Sequence, residues 1–144
     1  MKMPEYVSKA EVKRVCKELG LRDWAVLKDS SVNKREAAII LNVVNVKKMD
    51  IPIEEFRQGL EVELEHGTRY PDANVTNNHP ILTGKIVLAH LKEIMDYYER
   101  LEVAEIEGDL LKAVNAKNVK KIEEKYRKLI KAQGLLNKAV AKQI

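Results

Sequence analysis

The sequence predicts an all-α protein: a single-domain bundle of about four or five helices with a long amphipathic C-terminal helix. Three observations carry that expectation. Gly and Pro together supply only ten of 144 residues and aromatics 5%, too little turn chemistry for the many short strands of a sandwich or barrel. Apolar residues recur at three- and four-residue steps through most of the chain, which is the helical period. Residues suited to helix capping stand just before several of these stretches. The length is one domain's worth, and 45% hydrophobic with 33% charged residues suits a folded chain rather than a disordered one.

Ser8 with Glu11 three residues on reads as a capping box, opening a short helix that runs to about Leu19 and stops at Gly20. Val12, Val15, Cys16 and Leu19 form its apolar stripe. Residues 20–32 read as a connector, with Trp24 and Leu27 folded back on the core. Asn33 and Glu36 make a second box ahead of Ala37-Ala38-Ile39-Ile40-Leu41. The next residues, Asn42-Val43-Val44-Asn45-Val46, are β-branched enough for a strand, but no partner strand is evident and a helix is expected.

Asp50 ahead of Pro52 reads as the cap of a third helix, since Pro fits a first turn at no cost in hydrogen bonds. Phe56, Leu60 and Leu64 then recur every four residues, and Gly67 is expected to close the helix. Residues 67–80 form a polar loop with two prolines, and loops of this length are often functional. A helix follows from about Ile81, carrying Val87, Leu91, Ile94, Tyr98 and Leu101, weakening near Gly108 and continuing to about Ala116. In the last helix, about 118–142, Val119, Ile122, Tyr126, Leu129, Leu136 and Val140 fall on heptad-like positions, with Gln133 interrupting the seam. Helices near 53–66 and 82–107 are expected to pack antiparallel, covered by the C-terminal helix.

Charge is unevenly placed. The chain is +4 overall, yet residues 117–142 carry nine Lys or Arg against Glu123 and Glu124. Lys117, Lys121, Lys125, Lys128 and Lys131 are therefore candidate phosphate contacts. A solvated lysine face is the commoner meaning of such a run, and few aromatics accompany it. Gln133 in the seam and Leu135 on the basic side suit a homo-oligomer formed through this helix. No apolar run approaches the ~20 residues of a membrane span, and Met1-Lys2-Met3-Pro4-Glu5 lacks an apolar leader. The lone Cys16 allows no internal disulfide, so a reducing cytoplasm is expected. Phosphate-binding glycine loops, His-Glu-x-x-His and nucleophile elbows are missing from the sequence, which ranks an enzyme below a binding protein.

One constellation could carry chemistry. Glu63 and His66 lie three residues apart on one helical face, and Glu63 falls inside the Leu60–Leu64 stripe. His90 and Glu93 repeat the spacing in reverse on the next helix. In antiparallel helices this mirror would bring two imidazoles and two carboxylates together. Such a set suits a divalent zinc, iron or manganese ion. A buried His–Glu hydrogen-bond network fits the same pattern, and both readings stand at this point. Glu61 and Glu65 are expected to face solvent, although Glu65 could substitute as a ligand. His79 is expected to cap a helix or meet solvent, and Tyr97 and Tyr98 to pack.

The same residues carry a resemblance. Phe56-Arg57-Gln58-Gly59-Leu60-Glu61-Val62-Glu63-Leu64-Glu65-His66-Gly67, Asn74-Val75-Thr76-Asn77, Thr83-Gly84-Lys85-Ile86, Ala89-His90-Leu91-Lys92-Glu93 and Asp96-Tyr97-Tyr98-Glu99-Arg100-Leu101 resemble an uncharacterised small domain family. That family occurs in phages, archaeal mobile elements and prokaryotic genomes and is marked by Glu-Leu-Glu-His-Gly and His-Leu…Asp-Tyr-Tyr. The likeness covers about residues 50–105, and Ser8–Trp24 more loosely. Its acidic Asn-Asp-Asp-Pro turn is Asn77-Asn78-His79-Pro80 here. Residues 28–50 look like an insertion, and the basic tail lies outside the signature. The resemblance implies a mobile-element origin and makes the His/Glu pattern a family trait, with no activity attached.

Overall fold

Side-chain caps set where the first helices begin. The computed structural model describes residues 7–144; the Met1–Glu5 opening, read above for its lack of a leader, lies outside the described residues. Helix α1 spans Lys9–Leu19, and Ser8 Oγ accepts the Glu11 N–H at 3.2 Å. The reciprocal half of that box is replaced: Arg14 holds the Glu11 carboxylate at 2.7 and 2.8 Å. Gly20 ends the helix at φ +64°, its N–H reaching Lys17 O while Leu21 N–H reaches Cys16 O. This pairing closes the last turn and needs a residue that tolerates positive φ.

Helix α2, Lys34–Val44, starts on a complete Asn33–Glu36 capping box. The β-branched run is helical as far as Val44. Glu36 does more than cap. It is 1% exposed and also accepts from the Arg22 guanidinium at 2.7–3.1 Å, the Arg22 N–H at 3.1 Å and Trp24 Nε1 at 3.4 Å. One carboxylate thus pins the 20–32 connector onto α2. Trp24 is fully buried there in a short 3₁₀ turn, and Leu27 is half-buried.

Helix α3, Ile53–Arg69, departs from expectation at both ends. Asp50 is exposed and caps nothing; Pro52 itself occupies the cap position, without a side-chain bond. Ahead of it Asn45 clasps Met49 through both amide groups, at 2.8 and 3.0 Å, and that turn positions the entry. Gly67 does not close the helix. A Cβ there would sit 2.1 Å from Asn78 Oδ1 and 2.8 Å from Asn74 Nδ2, so glycine makes room for the following loop to fold against the helix. Phe56, Leu60 and Leu64 are buried as their spacing requires.

The next stretch is two helices, α4 over Pro80–Glu93 and α5 over Tyr97–Asn115. The break falls at residues 94–96 and not near Gly108, which stays inside α5. Asp96, 1% exposed, is gripped by Arg100 at 2.8 and 2.9 Å. A buried acid with a partner one turn on fixes the new start where no Gly or Pro marks it. Gly84 lets α4 approach α2 closely, because a Cβ would lie 2.5 Å from Ile40 Cγ2. The antiparallel register expected for α3 and α4 does not describe their contacts. Phe56 lies beside Gly84 and Glu63 beside His90, so the contacts advance along both helices together. A ten-residue connection at 70–79 does not enforce the antiparallel neighbour that a short one would.

Helix α6, Val119–Ala141, begins at Asn118, whose Oδ1 accepts the Lys121 N–H at 3.0 Å. The described residues form six α-helices and no strand, the expected all-α class. They fall into two compact units, one ending at Lys92 and one running from Glu93 to Ile144. In the first, Trp24, Ile40, Phe56, Leu60, Leu64 and Leu91 are buried. The second is the α5–α6 hairpin, with Ile106, Leu129 and Ala132 at its centre and Val103 and Leu110 against them. Val119 and Tyr126 stand outside this seam, 76% and 56% exposed. Ala132, rather than Gln133, faces inward, and Gln133 is exposed.

Burial pushes the Glu36 carboxyl up, but the bonds from Arg22 outweigh it and the net value is below the ordinary 4.5. A depressed acid stabilises the fold above that value and ceases to do so as pH falls through the native one. Wild type should therefore lose stability more steeply below pH 4.5 than Glu36→Gln does, measured by urea denaturation. Glu36→Ala should cost on the order of 2–4 kcal/mol, through lost capping and lost charged hydrogen bonds. The glycines predict opposite signs. Gly108→Ala and Gly134→Ala, where a Cβ meets nothing within 4 Å, should each add about 0.5–1 kcal/mol. Gly84→Ala should cost about 1–3 kcal/mol from overpacking.

Candidate functional site

Helix α3 places Glu63 and His66 on successive turns of one face, and α4 brings His90 to the same carboxylate. Glu63 Oε1 lies 3.6 Å from His90 Nε2, and Glu63 Oε2 lies 3.9 Å from His66 Nδ1. The Glu63 side chain is 15% exposed, His90 29% and His66 58%. The carboxylate is therefore sheltered between an inner and an outer imidazole, where like beside like had been expected. Glu93, exposed at the end of α4, belongs to the second compact unit. Among the described residues no group of three or more His, Cys, Asp or Glu side chains is arranged to hold a metal ion.

The neighbouring acids divide. Glu65 is exposed and pairs with Arg69 at 3.3 Å. Glu61 is not a solvent residue: it pairs with Arg57 at 2.6 Å and accepts the Val32 N–H at 3.0 Å, tying α3 to the chain ahead of α2. The third histidine has a structural task. His79 Nδ1 accepts from the Ile81 and Leu82 N–H groups at 3.2 and 3.4 Å, capping α4, and the residue is buried. Cys16 is buried too, and burial pushes its thiol up, away from the reactive thiolate. Tyr97 and Tyr98 meet edge to face at 5.2 Å, a packing arrangement.

Lys117, in the connector ahead of α6, and Lys121, Lys128 and Lys131 on α6 are exposed, with Lys128 paired to Glu124 at 3.0 Å. Lys125 differs from the row it was read with. It reaches across to Asp109 on α5 at 2.7 Å and keeps a quarter of its side chain exposed. Lys125 first and then Lys112 hold the Asp109 carboxyl down to about 2. A cleft of about 490 Å³ near the hairpin turn is lined by Asp109, Lys112, Asn118, Lys121, Glu124 and Lys125, with Ala113 and Ala116. Its signs nearly balance, because the lysines there already have acids beside them. Sequence reasoning missed the Asp109–Lys125 tie. The available signal was an acid on α5 and a base at the equivalent level of α6, legible once the helices are paired.

These features define an all-α protein with a carboxylate–imidazole cluster on two helices of its first unit and a helical hairpin as its second. Over residues 12–107 the sequence matches a family described as a protein of unknown function (DUF5661), and the chain belongs to that family. No curated protein and no solved structure matches it. The match takes in Glu63, His66, His90 and Glu93 and ends inside α5, so α6 lies beyond it.

Burial holds the His79 imidazole below its ordinary 6.5, and its capping role needs an unprotonated Nδ1. The fold should therefore weaken as pH drops from 6.5 toward the depressed native value, because only the unfolded chain takes up the proton there. Thermal melting from pH 7.5 to 5 should show this decline in wild type. His79→Asn retains a side-chain cap and should flatten it.

Proposed function

We propose that the first unit takes up one divalent cation through Glu63, His66 and His90, the His66 ring turning in to complete a set that is not preassembled, and that the protein works by binding rather than catalysis. One observation carries this. The Glu63 oxygens stand 3.6 and 3.9 Å from imidazole nitrogens, too far for good hydrogen bonds. Those gaps are close to the roughly 3.4 Å between neighbouring donors around a tetrahedral ion with bonds near 2.1 Å. His66, the most exposed of the three, has room to turn toward an ion, whereas the Glu63 and His90 side chains are more sheltered. Zinc, iron and manganese all accept such imidazole and carboxylate donors. The cluster supplies donors and no nucleophile, which favours binding. Origin in a phage, plasmid or other mobile element belongs to the same proposal and rests on the sequence resemblance.

A second reading has its own observation. Lys117 just ahead of helix α6 and Lys121, Lys128 and Lys131 on it are exposed within a strongly positive segment, which suits contact with nucleic acid or an acidic protein surface. Phosphate contacts would give affinity that falls steeply with salt and shows no sequence preference. Lys125 belongs to that set less than the others, since its ammonium is engaged by Asp109.

Untagged protein, stripped with chelator and dialysed separately against zinc, manganese and ferrous iron, should retain one ion per chain of at least one of them. Its melting temperature should rise with that ion, since a ligand held by the native state alone stabilises it. Glu63→Gln and His90→Ala should each weaken retention at least tenfold. No stoichiometric metal, with melting unchanged by chelator or added ion, would leave a purely structural His–Glu network.

A further inference from the structure

Five of the exposed apolar residues of the second unit are arranged, not scattered. Leu111 and Val114 on α5 are 60% and 48% exposed; Val119, Tyr126 and Ile130 on α6 are 76%, 56% and 55% exposed. Steps of three, four and seven residues put each set on one helical stripe. The buried seam of Ile106, Leu129 and Ala132 fixes the inward direction of both helices, and the Asp109–Lys125 pair marks one flank of the hairpin. Counting about 100° per residue from the seam, Leu111 and Val114 fall on the flank of α5 away from Asp109. Because α6 returns antiparallel, the same count carries Val119, Tyr126 and Ile130 to that same side. Five side chains so placed expose roughly 500 Å² per copy, and two copies reach the roughly 1,000 Å² that a specific interface needs.

Charge identifies the occupant. Residues 97–115 carry five acids against Arg100 and Lys112, a net −3, whereas residues 119–141 carry seven bases against Glu123 and Glu124, a net +5. The hairpin is therefore one acidic and one basic helix, and it is complementary to itself. We infer that this face is an isologous interface, on which a second copy of the chain lays its own hairpin to form a four-helix bundle. The two-fold axis runs along the helices, so that each α5 lies over the partner's α6, antiparallel to it. The other face-to-face arrangement, with the axis across the helices, would stack acid on acid and base on base. Like-signed helices are thereby kept on the diagonal, and the apolar stripes meet at the centre. This inference uses no residue of the proposed metal site and stands or falls separately from it.

The test is the solution mass of the full chain by sedimentation equilibrium. Wild type should show twice the 16.5 kDa chain mass. Leu111→Asp and Ile130→Asp should each raise the dissociation constant at least a hundredfold with helical content unchanged, since both positions are exposed within the chain. Leu135→Asp is the control: Leu135 is 47% exposed but lies on the opposite flank of α6, and its mass should match wild type. Raising salt from 0.05 to about 1 M should weaken the dimer, because screening removes the attraction between unlike helices. A monomer up to about 100 μM would overturn the inference and leave the face to another partner. Equal dissociation by Leu135→Asp would overturn the choice of face, and a dimer that tightens with salt would overturn the pairing of acidic with basic helices.

Discussion

Burying Glu36 obliges its neighbours to organise around it. A carboxylate at 1% exposure is costly unless every oxygen is satisfied, and here Asn33, Arg22 and Trp24 all donate to it. The helix start, the irregular connector and the tryptophan are fixed by the same two oxygen atoms. Arg22 then reaches on to Ser31 O at 2.6 Å, closing the connector at its far end. Glu61 repeats the device at α3, where Arg57 and the Val32 N–H share one acid. In the first unit carboxylates hold backbone as well as side chains, and so fix the irregular connector ahead of α2.

Legibility in the sequence followed locality. Ser8, Gly20 and Asn33 act on backbone groups within a few residues, and their helix boundaries could be read directly. So could Phe56, Leu60 and Leu64, whose shared face is a property of the helix alone. Asp50 was misread because a cap-like residue two places before a proline looks alike whether or not its side chain turns inward. Gly67 and Gly84 look like breakers in one dimension; in three they are clearances for Asn78 and Ile40. The break at Asp96 was hidden for the opposite reason. Ile94-Met95-Asp96 holds no residue that resists a helix, and the cause is a buried acid answered by Arg100.

The candidate site shows the same division. Three-residue spacing was enough to put Glu63 and His66 on one face and to single out His90. Spacing could not say which donors meet, because that depends on how α3 and α4 cross. The carboxylate lies between the two imidazoles and His66 is the exposed member. The basic row on α6 was legible as charge but not as geometry: Lys125 sits one residue from Tyr126, yet the first turns toward α5 and the second toward solvent.

The hairpin turn has a consequence for how the molecule assembles in time. Asn115 and Val119 bracket a connector of residues 116–118, so α5 and α6 find each other by closing a very short loop. Loops of that size close within roughly 100 ns, and domains dominated by local contacts fold in microseconds to milliseconds. The first unit depends instead on ties across 14 residues, from Arg22 to Glu36, and across 29, from Val32 to Glu61. Each such closure costs more chain entropy before its reward is collected. During synthesis the unit ending at Lys92 emerges before the hairpin, yet the hairpin has the shorter search. The order of emergence and the order of closure therefore run in opposite directions along this chain.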